Sequence, residues 1–180
     1  MFILVKTEIF THNTNMIVKG PAGETKVNLD EKDRKILRLL MRDPRISVAD
    51  IARDVGAQRD TVMYRIRRFE KRGLIAKYHT ILEPQALGLN IFMMVLIKVA
   101  PVSREKIDAF IKKLVAHKNV THIGRLVGKY DYFLQMAAED ITTFDRALDE
   151  VKALHEGLII NAEIFNIIDG IKIDDFSALI

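Results

Sequence analysis

The sequence lacks the features on which several classes of protein depend. It contains no cysteine, which excludes disulfide bonds and thiolate metal ligands and is typical of a protein that stays in the cytoplasm. Its longest uninterrupted apolar run, residues 91–97, is far shorter than the roughly 20 residues of a membrane-spanning helix. The N-terminus has no basic segment ahead of its apolar residues. We therefore predict neither a signal peptide nor membrane attachment.

The patterns that mark catalytic and metal sites are also missing. Residues 124–129 contain only part of the phosphate-loop pattern and lie between two expected strands. No nucleophile, base and orienting group occur at a recognisable spacing. Four histidines lack acidic partners at the spacing of metal ligands: His79, His117, His122 and His155. We predict that the protein is not an enzyme and that it uses no cofactor and no metal.

Charge, in contrast, is present and unevenly divided. Residues 30–80 hold 14 Lys/Arg and 8 Asp/Glu, a net of +6, whereas residues 81–180 hold 11 and 14, a net of −3. This asymmetry predicts a segment that binds a polyanion, joined to a segment with another task.

The basic segment, residues 29–82, carries three helical patterns. The first has a capping-box arrangement in Asp30 and Asp33. The second begins at Ser47 and ends at Gly56, a residue that readily takes the positive φ of a tight turn. Two short helices joined in this way, with a third basic helix behind them, predict a helix-turn-helix.

The third helical pattern, residues 59–71, is the most basic. Val62, Ile66 and Phe69 form its apolar stripe, which leaves its cations for the remaining surface. In a groove of double-stranded DNA such cations neutralise phosphates, and arginine bonds to guanine edges. We expect Arg59 and Tyr64 nearest the base edges. The expected DNA contacts are Gln58, Arg59, Asp60, Thr61, Tyr64, Arg65, Arg67 and Arg68.

The rest of the chain alternates between strand and helix patterns. Residues 74–82 predict a short β-hairpin, the wing of a winged helix, and residues 83–90 predict a linker. The order that follows, βαββαβ, predicts an antiparallel sheet covered by two helices on one face, the ferredoxin-like arrangement, and hence an α+β fold class. The expected elements are strands at 91–99, 120–127, 130–137 and 159–168 and helices at 103–116 and 142–154.

The first strand of this second domain is apolar on both faces. Its run from Ile91 to Ile97 does not alternate with polar residues. A strand of this kind needs cover on both sides of the sheet, and the helices supply only one. We therefore predict a partner chain on the open face, that is, a homodimer.

These motifs, taken in order, resemble one family of transcription regulators, the Lrp/AsnC or feast/famine proteins. The resemblance covers about residues 29–170. It rests on Leu29-Asp-x-x-Asp33-x-x-Ile36-Leu37, Asp43-x-Arg45-x-Ser47, Ile51-Ala52-x-x-Val55-Gly56, Thr61-Val62-x-x-Arg65-Ile66-x-x-Phe69-Glu70-x-x-Gly73-x-Ile75 and Gly128-x-Tyr130-Asp131.

The resemblance implies an N-terminal winged helix-turn-helix and a C-terminal βαββαβ domain that dimerises, with dimers often forming octamers. It also implies an amino-acid effector bound near the Gly-x-Tyr-Asp turn, which nominates Gly128, Tyr130 and Asp131, with Asn161 on the last strand. A buried Asp131 carboxylate would pair with the ammonium of an amino acid. Because Gly128 opens a turn signal, Tyr130 and Asp131 have the alternative role of shaping a hairpin.

The domain layout follows from these assignments. We expect an N-terminal extension at 1–28, the winged helix-turn-helix at 29–82, a linker at 83–90, the dimerisation and effector domain at 91–170, and a tail at 171–180.

Gln58 stands where the family commonly has serine, which caps a helix well, whereas glutamine caps poorly. The sequence leaves open whether Asp60 takes over and starts the helix later. An alternative function also remains, in which the second domain senses a ligand and the basic segment contacts a protein and not DNA.

Overall fold

The computed structural model describes residues 27–168 and 176–180. The expected N-terminal extension, up to residue 26, and the start of the expected tail, residues 171–175, lie outside them. The described residues fall into two compact units. The first unit holds residues 27–82 and 176–180, and the second holds residues 83–168.

The first unit is built on three helices: α1 (Glu31–Arg42), α2 (Val48–Val55) and α3 (Arg59–Lys71). All three contribute to one core, whose fully buried side chains include Ile36 from α1 and Phe69 from α3. Burying such a side chain stabilises the fold by about 2–3 kcal/mol. The helical spacing of these apolar residues therefore determines which face of each helix turns inward.

Local capping sets where α1 and α2 begin and end. The Asp30 carboxylate accepts the N–H of Asp33, and the Asp33 carboxylate accepts the N–H of Asp30, so the predicted capping box is confirmed. Ser47 caps α2 by accepting the N–H of Asp50. Gly56 ends α2 at φ 64°, a conformation that costs a residue with a side chain far more than it costs glycine.

The expected hairpin after α3 differs from the structure. Residues 74–82 contain no strand, and the side chains of Ile81 and Leu82 are largely exposed. The segment has no Gly, Asn, Asp or Pro with which to make the tight turn of a hairpin. The N–H groups of Leu74 and Ile75 anchor its start by bonding to the carbonyl of Phe69, and the Tyr78 hydroxyl donates to Glu70 of α3.

The second unit contains a four-stranded sheet and two helices, which confirms the βαββαβ prediction. Strand order is β2-β3-β1-β4 and every pairing is antiparallel. A 3₁₀ turn at Gln85–Leu87 precedes the sheet. The elements are β1 (Ile91–Val99), α4 (Arg104–Ala116), β2 (Val120–Arg125), β3 (Tyr132–Ala138), α5 (Ile141–Ala153) and β4 (Ile159–Asn166).

Both helices pack on the same face of this sheet. Val95 and Ile97 of β1 are buried in one cluster with Phe110 of α4 and Phe144 of α5. The intervening Leu96 points to the other face and is only half-buried. The open face is therefore apolar at the centre of the sheet, as the unalternating sequence of β1 predicts.

The turn between β2 and β3 is longer than the sequence suggests. Two of the expected strand ends, at residues 127 and 130, lie inside this turn. The N–H of Leu126 bonds to the carbonyl of Asp131, and the N–H of Asp131 bonds to the carbonyl of Ile97. The first bond closes the loop between β2 and β3, and the second attaches this loop to β1. As a result, β2 ends at Arg125 and β3 begins at Tyr132.

Residues 176–180 belong to the first unit. Ile180 packs against its apolar core. The Arg38 guanidinium donates to the main-chain oxygens of Ser177 and Ile180. The Arg38 guanidinium of α1 and the apolar contact of Ile180 thus hold the last described residues on the first unit.

No helix in the described part of the chain combines the length and the apolar composition that would let it span a membrane.

Candidate DNA-binding surface and effector site

One side of α3 is exposed and carries a mixed set of side chains, which we call the α3 face. Its members share helical spacing on the side away from Val62 and Phe69, both of which are buried. Its three cations outnumber its one carboxylate, so this face has the charge that phosphates require. The α3 face comprises Arg59, Asp60, Met63, Tyr64, Arg67 and Lys71.

The first turn of α3 forms without a side-chain cap. The helix begins at Arg59, with Gln58 as the preceding residue, and the Gln58 side chain makes no capping bond. Asp60 lies within the first turn, where a carboxylate interacts favourably with the helix dipole. The helix therefore starts at Arg59, as its apolar pattern predicts, and its start is not delayed to Asp60. Gln58 and Thr61 are both exposed beside the α3 face.

Two of the expected DNA contacts, Arg65 and Arg68, have partners inside the unit. Arg65 Nη1 lies 2.6 Å from Asp30 and 2.5 Å from Asp33. Arg68 Nη2 lies 2.7 Å from the other oxygen of Asp33. The Asp33 side chain is only 3% exposed and the Arg65 side chain 19%. We call these four residues the Asp–Arg cluster.

The electrostatics of the Asp–Arg cluster favour its charged form. The hydrogen bond from Arg65, with the N–H of Asp33, holds the pKa of Asp30 below its ordinary value. The same carboxylates raise the pKa of Arg65. A buried carboxylate such as Asp33 is tolerated only when cations and hydrogen bonds compensate it, and here two guanidinium groups do so.

This arrangement gives Arg65 and Arg68 partners within the unit, in addition to the DNA contacts that we expect from the sequence. Their guanidinium groups join α3 to α1, whereas Arg67 between them is exposed on the α3 face. A signal for this was present in the sequence. Arg65 follows Val62 by three residues and precedes Phe69 by four, so it lies on the apolar stripe of the helix.

In the second unit, Asp131 lies at the junction of the β2–β3 turn and β1. One carboxylate oxygen accepts the N–H of Val99 at 2.9 Å, and the other lies 3.1 Å from Lys98 Nζ. The bond from Val99, followed by that from Lys98, lowers the pKa of Asp131 despite partial burial. The β1–β4 register shifts between Lys98 and Val99, so Asp131 supports an irregular point in the strand.

Tyr130 and Lys129 connect the same turn to β4. Lys129 Nζ lies 2.7 Å from Glu163 and 4.9 Å from the centre of the Tyr130 ring. The hydrogen bond to Glu163 raises the pKa of Lys129 and lowers that of Glu163. Tyr130 itself is buried. Lys129 and Glu163 are thus polar residues beside Tyr130 that the sequence analysis did not single out.

The structure brings three of the four expected effector residues near one another. Asn161 of β4 is the cross-strand partner of Lys98 on β1, and the Lys98 side chain contacts Asp131. Tyr130 immediately precedes Asp131 in the sequence. Gly128 is exposed at φ 148°, in a region that favours glycine, and it shapes the turn. Lys98 is the residue that links Asp131 to Asn161, and no motif in the sequence points to it.

Comparison with protein-family models divides the chain in the same way. Residues 29–76 match a model described as winged helix-turn-helix DNA-binding. Residues 93–158 match a model described as the Lrp/AsnC ligand binding domain. The first match contains the Asp–Arg cluster and the α3 face, and the second contains the turn with Tyr130 and Asp131.

Individual proteins agree with these matches. An HTH-type transcriptional regulator of Pyrococcus horikoshii is 32% identical over 133 residues, which cover 74% of this chain and 82% of that protein. The glutamate uptake regulatory protein of Zymomonas mobilis is 34% identical over 66% of this chain and 72% of its own length. The crystal structure of an AsnC family transcriptional regulator from Agrobacterium tumefaciens superposes with a TM-score of 0.74 at 29% identity, covering 81% of this chain and 94% of that one.

Proposed function

This chain belongs to the Lrp/AsnC family of transcriptional regulators, and on that premise we propose how it works: the α3 face enters a groove of double-stranded DNA, while the second unit pairs chains and senses an amino acid. DNA binding and transcription regulation are the activities of the family. We propose a non-enzymatic role in the cytoplasm, because the matched relatives are regulators by name.

The observation that carries the DNA-binding proposal is the separation of cations on α3. Arg59 and Arg67 are exposed on the α3 face, whereas Arg65 and Arg68 are held by Asp33. We assign phosphate or base contacts to the exposed cations, with Gln58, Asp60, Thr61 and Tyr64 around them. We assign Arg65 and Arg68 to positioning α3 on α1.

Two chains are needed for the arrangement that we propose. The open face of the sheet presents half-buried Met94 and Leu96, and Phe165 of β4 is 44% exposed. Covering this face with the same face of a second chain gives a homodimer, and further assembly to an octamer is consistent with the family. A dimer places two α3 helices on half-sites about one helical turn of DNA apart.

The effector proposal rests on opposite charges at the β2–β3 turn. The Asp131 carboxylate and the Lys98 ammonium lie 3.1 Å apart and are each about one third exposed. An amino acid carries the complementary pair, an ammonium for Asp131 and a carboxylate for Lys98. We propose that an amino acid binds at this pair, with Asn161, Tyr130 and Gly128 around it.

A direct experiment separates this function from its alternative, a ligand sensor that acts only through protein partners. Duplexes selected from random DNA by the full-length protein are sequenced and tested for affinity at several salt concentrations. Enrichment of a palindromic sequence, with affinity that falls as salt rises, supports the proposal. If no sequence is enriched and no duplex is bound even at low salt, the DNA-binding proposal fails.

A further inference from the structure

Besides Tyr64, which carries a polar hydroxyl, the α3 face contains one uncharged side chain, that of Met63. Met63 lies one helical turn after Arg59 and one turn before Arg67, so the three side chains follow one another along the same line. Met63 is 38% exposed, and within the described residues it belongs to neither apolar core. Met63 thus lies outside the cores that hold the described residues together.

The chemistry of DNA suggests a task for it. Phosphates and the polar edges of bases suit Arg59 and Arg67, but they offer nothing to a thioether side chain. The major groove presents one prominent apolar group, the 5-methyl group of thymine. A methionine that reaches into the groove between two arginines meets base edges at the depth where that methyl group lies.

We propose that Met63 is a specificity-determining residue that reads a thymine 5-methyl group in each half-site. The inference rests on the proposed function, since it requires α3 to enter the major groove. The flexible side chain of methionine adapts to the methyl position. The two flanking arginines anchor the helix on either side. Removing water from one methyl group favours the complex by about fourfold in affinity.

The test replaces thymine by 2′-deoxyuridine, which lacks only the 5-methyl group. Each thymine of a duplex selected by the wild-type protein is replaced in turn, and affinity is measured by fluorescence anisotropy. We expect wild-type affinity to fall about fourfold at one thymine in each half-site. Met63→Ala should bind the two duplexes equally, and Met63→Leu should retain most of the discrimination.

A matched control comes from α1. Met41 is exposed to nearly the same degree, 40%, but lies outside the α3 face. Met41→Ala should discriminate thymine from deoxyuridine as the wild type does.

The possible results distinguish this inference from the proposed function. If the protein selects a DNA sequence but Met63→Ala discriminates thymine from deoxyuridine as well as the wild type, the inference is overturned and the DNA-binding function stands. The same holds if no thymine can be distinguished from deoxyuridine by the wild-type protein. If no sequence is selected at all, the proposed function fails and the inference fails with it.

Discussion

Arg65 Nη1 lies 2.5 Å from Oδ1 of Asp33, a carboxylate that is almost completely buried on α1. This ion pair joins residues 32 positions apart and directs the Arg65 guanidinium towards α1, away from the α3 face. Arg67, two residues further along, is exposed. We therefore propose separate tasks for these neighbouring arginines, stability for Arg65 and DNA binding for Arg67.

The first prediction concerns these two arginines. Arg65→Ala should lower the free energy of unfolding by about 3 kcal/mol, because it removes one of the two cations that compensate buried Asp33. Arg67→Ala removes the same charge from an exposed position and should change stability by less than about 0.5 kcal/mol. Urea unfolding followed by circular dichroism measures both. Equal stability of the two variants would contradict the role that we assign to the Asp–Arg cluster.

The second prediction concerns pH. Because the pKa of Asp30 is lowered in the folded state, its contribution to stability is complete above the unfolded value, about pH 4, and is lost as pH falls through the folded value. The stability difference between wild type and Asp30→Asn should therefore be constant from pH 7 to pH 5 and shrink below pH 4. Unfolding curves at each pH give this difference. A difference that does not change down to pH 2 would show that Arg65 does not act on Asp30 in this way.

The third prediction concerns Gly124 of β2. A methyl group added there would overlap the ring of Phe133, which stacks on His122 with ring centres 5.2 Å apart. Gly124→Ala should displace this ring and lower stability by about 1–3 kcal/mol. Adding Phe133→Leu should recover part of the loss, since the smaller side chain leaves room. If the double variant is no more stable than Gly124→Ala alone, overlap with the Phe133 ring is not the cause of the lost stability.

The fourth prediction concerns the effector. An amino acid that binds at Asp131 and Lys98 should raise the melting temperature of the protein, and a scan of the twenty amino acids identifies it. The matching α-hydroxy acid, which lacks the ammonium, should give little or no shift. Asp131→Asn should remove the shift, whereas Asp108→Asn, an exposed change on α4, should not. An equal shift from the hydroxy acid would exclude the proposed pairing with Asp131.

Much of the fold follows from the sequence because its signals are local. The bounds of α3 follow from its apolar stripe, and the start of α1 follows from the capping box of Asp30 and Asp33. The β1 strand has the ends expected from the sequence, residues 91 and 99, since its apolar run begins at Ile91 and stops shortly before the strand ends. Local propensity and periodicity decide such elements.

Most of the features that the sequence does not predict depend on contacts between residues distant in sequence. The α3 face can be predicted from the helical period of the sequence. The ion pairs of Arg65 and Arg68 with Asp33, in contrast, depend on how α1 packs against α3. The hairpin after α3 was expected from loose alternation alone, without a turn signal. The loop that ends at Asp131 depends on its bonds to β1, which no local pattern encodes.

The salt dependence of DNA affinity tests the central claim, that the α3 face binds DNA, most directly. Each phosphate contact contributes a slope of about −0.9 to the plot of log affinity against log salt concentration. Arg67→Ala should bind more weakly and reduce the wild-type slope by about one contact. Arg104→Ala, an equal loss of charge at an exposed position on α4, should leave both unchanged. The account would be contradicted if Arg67→Ala kept the wild-type affinity and slope.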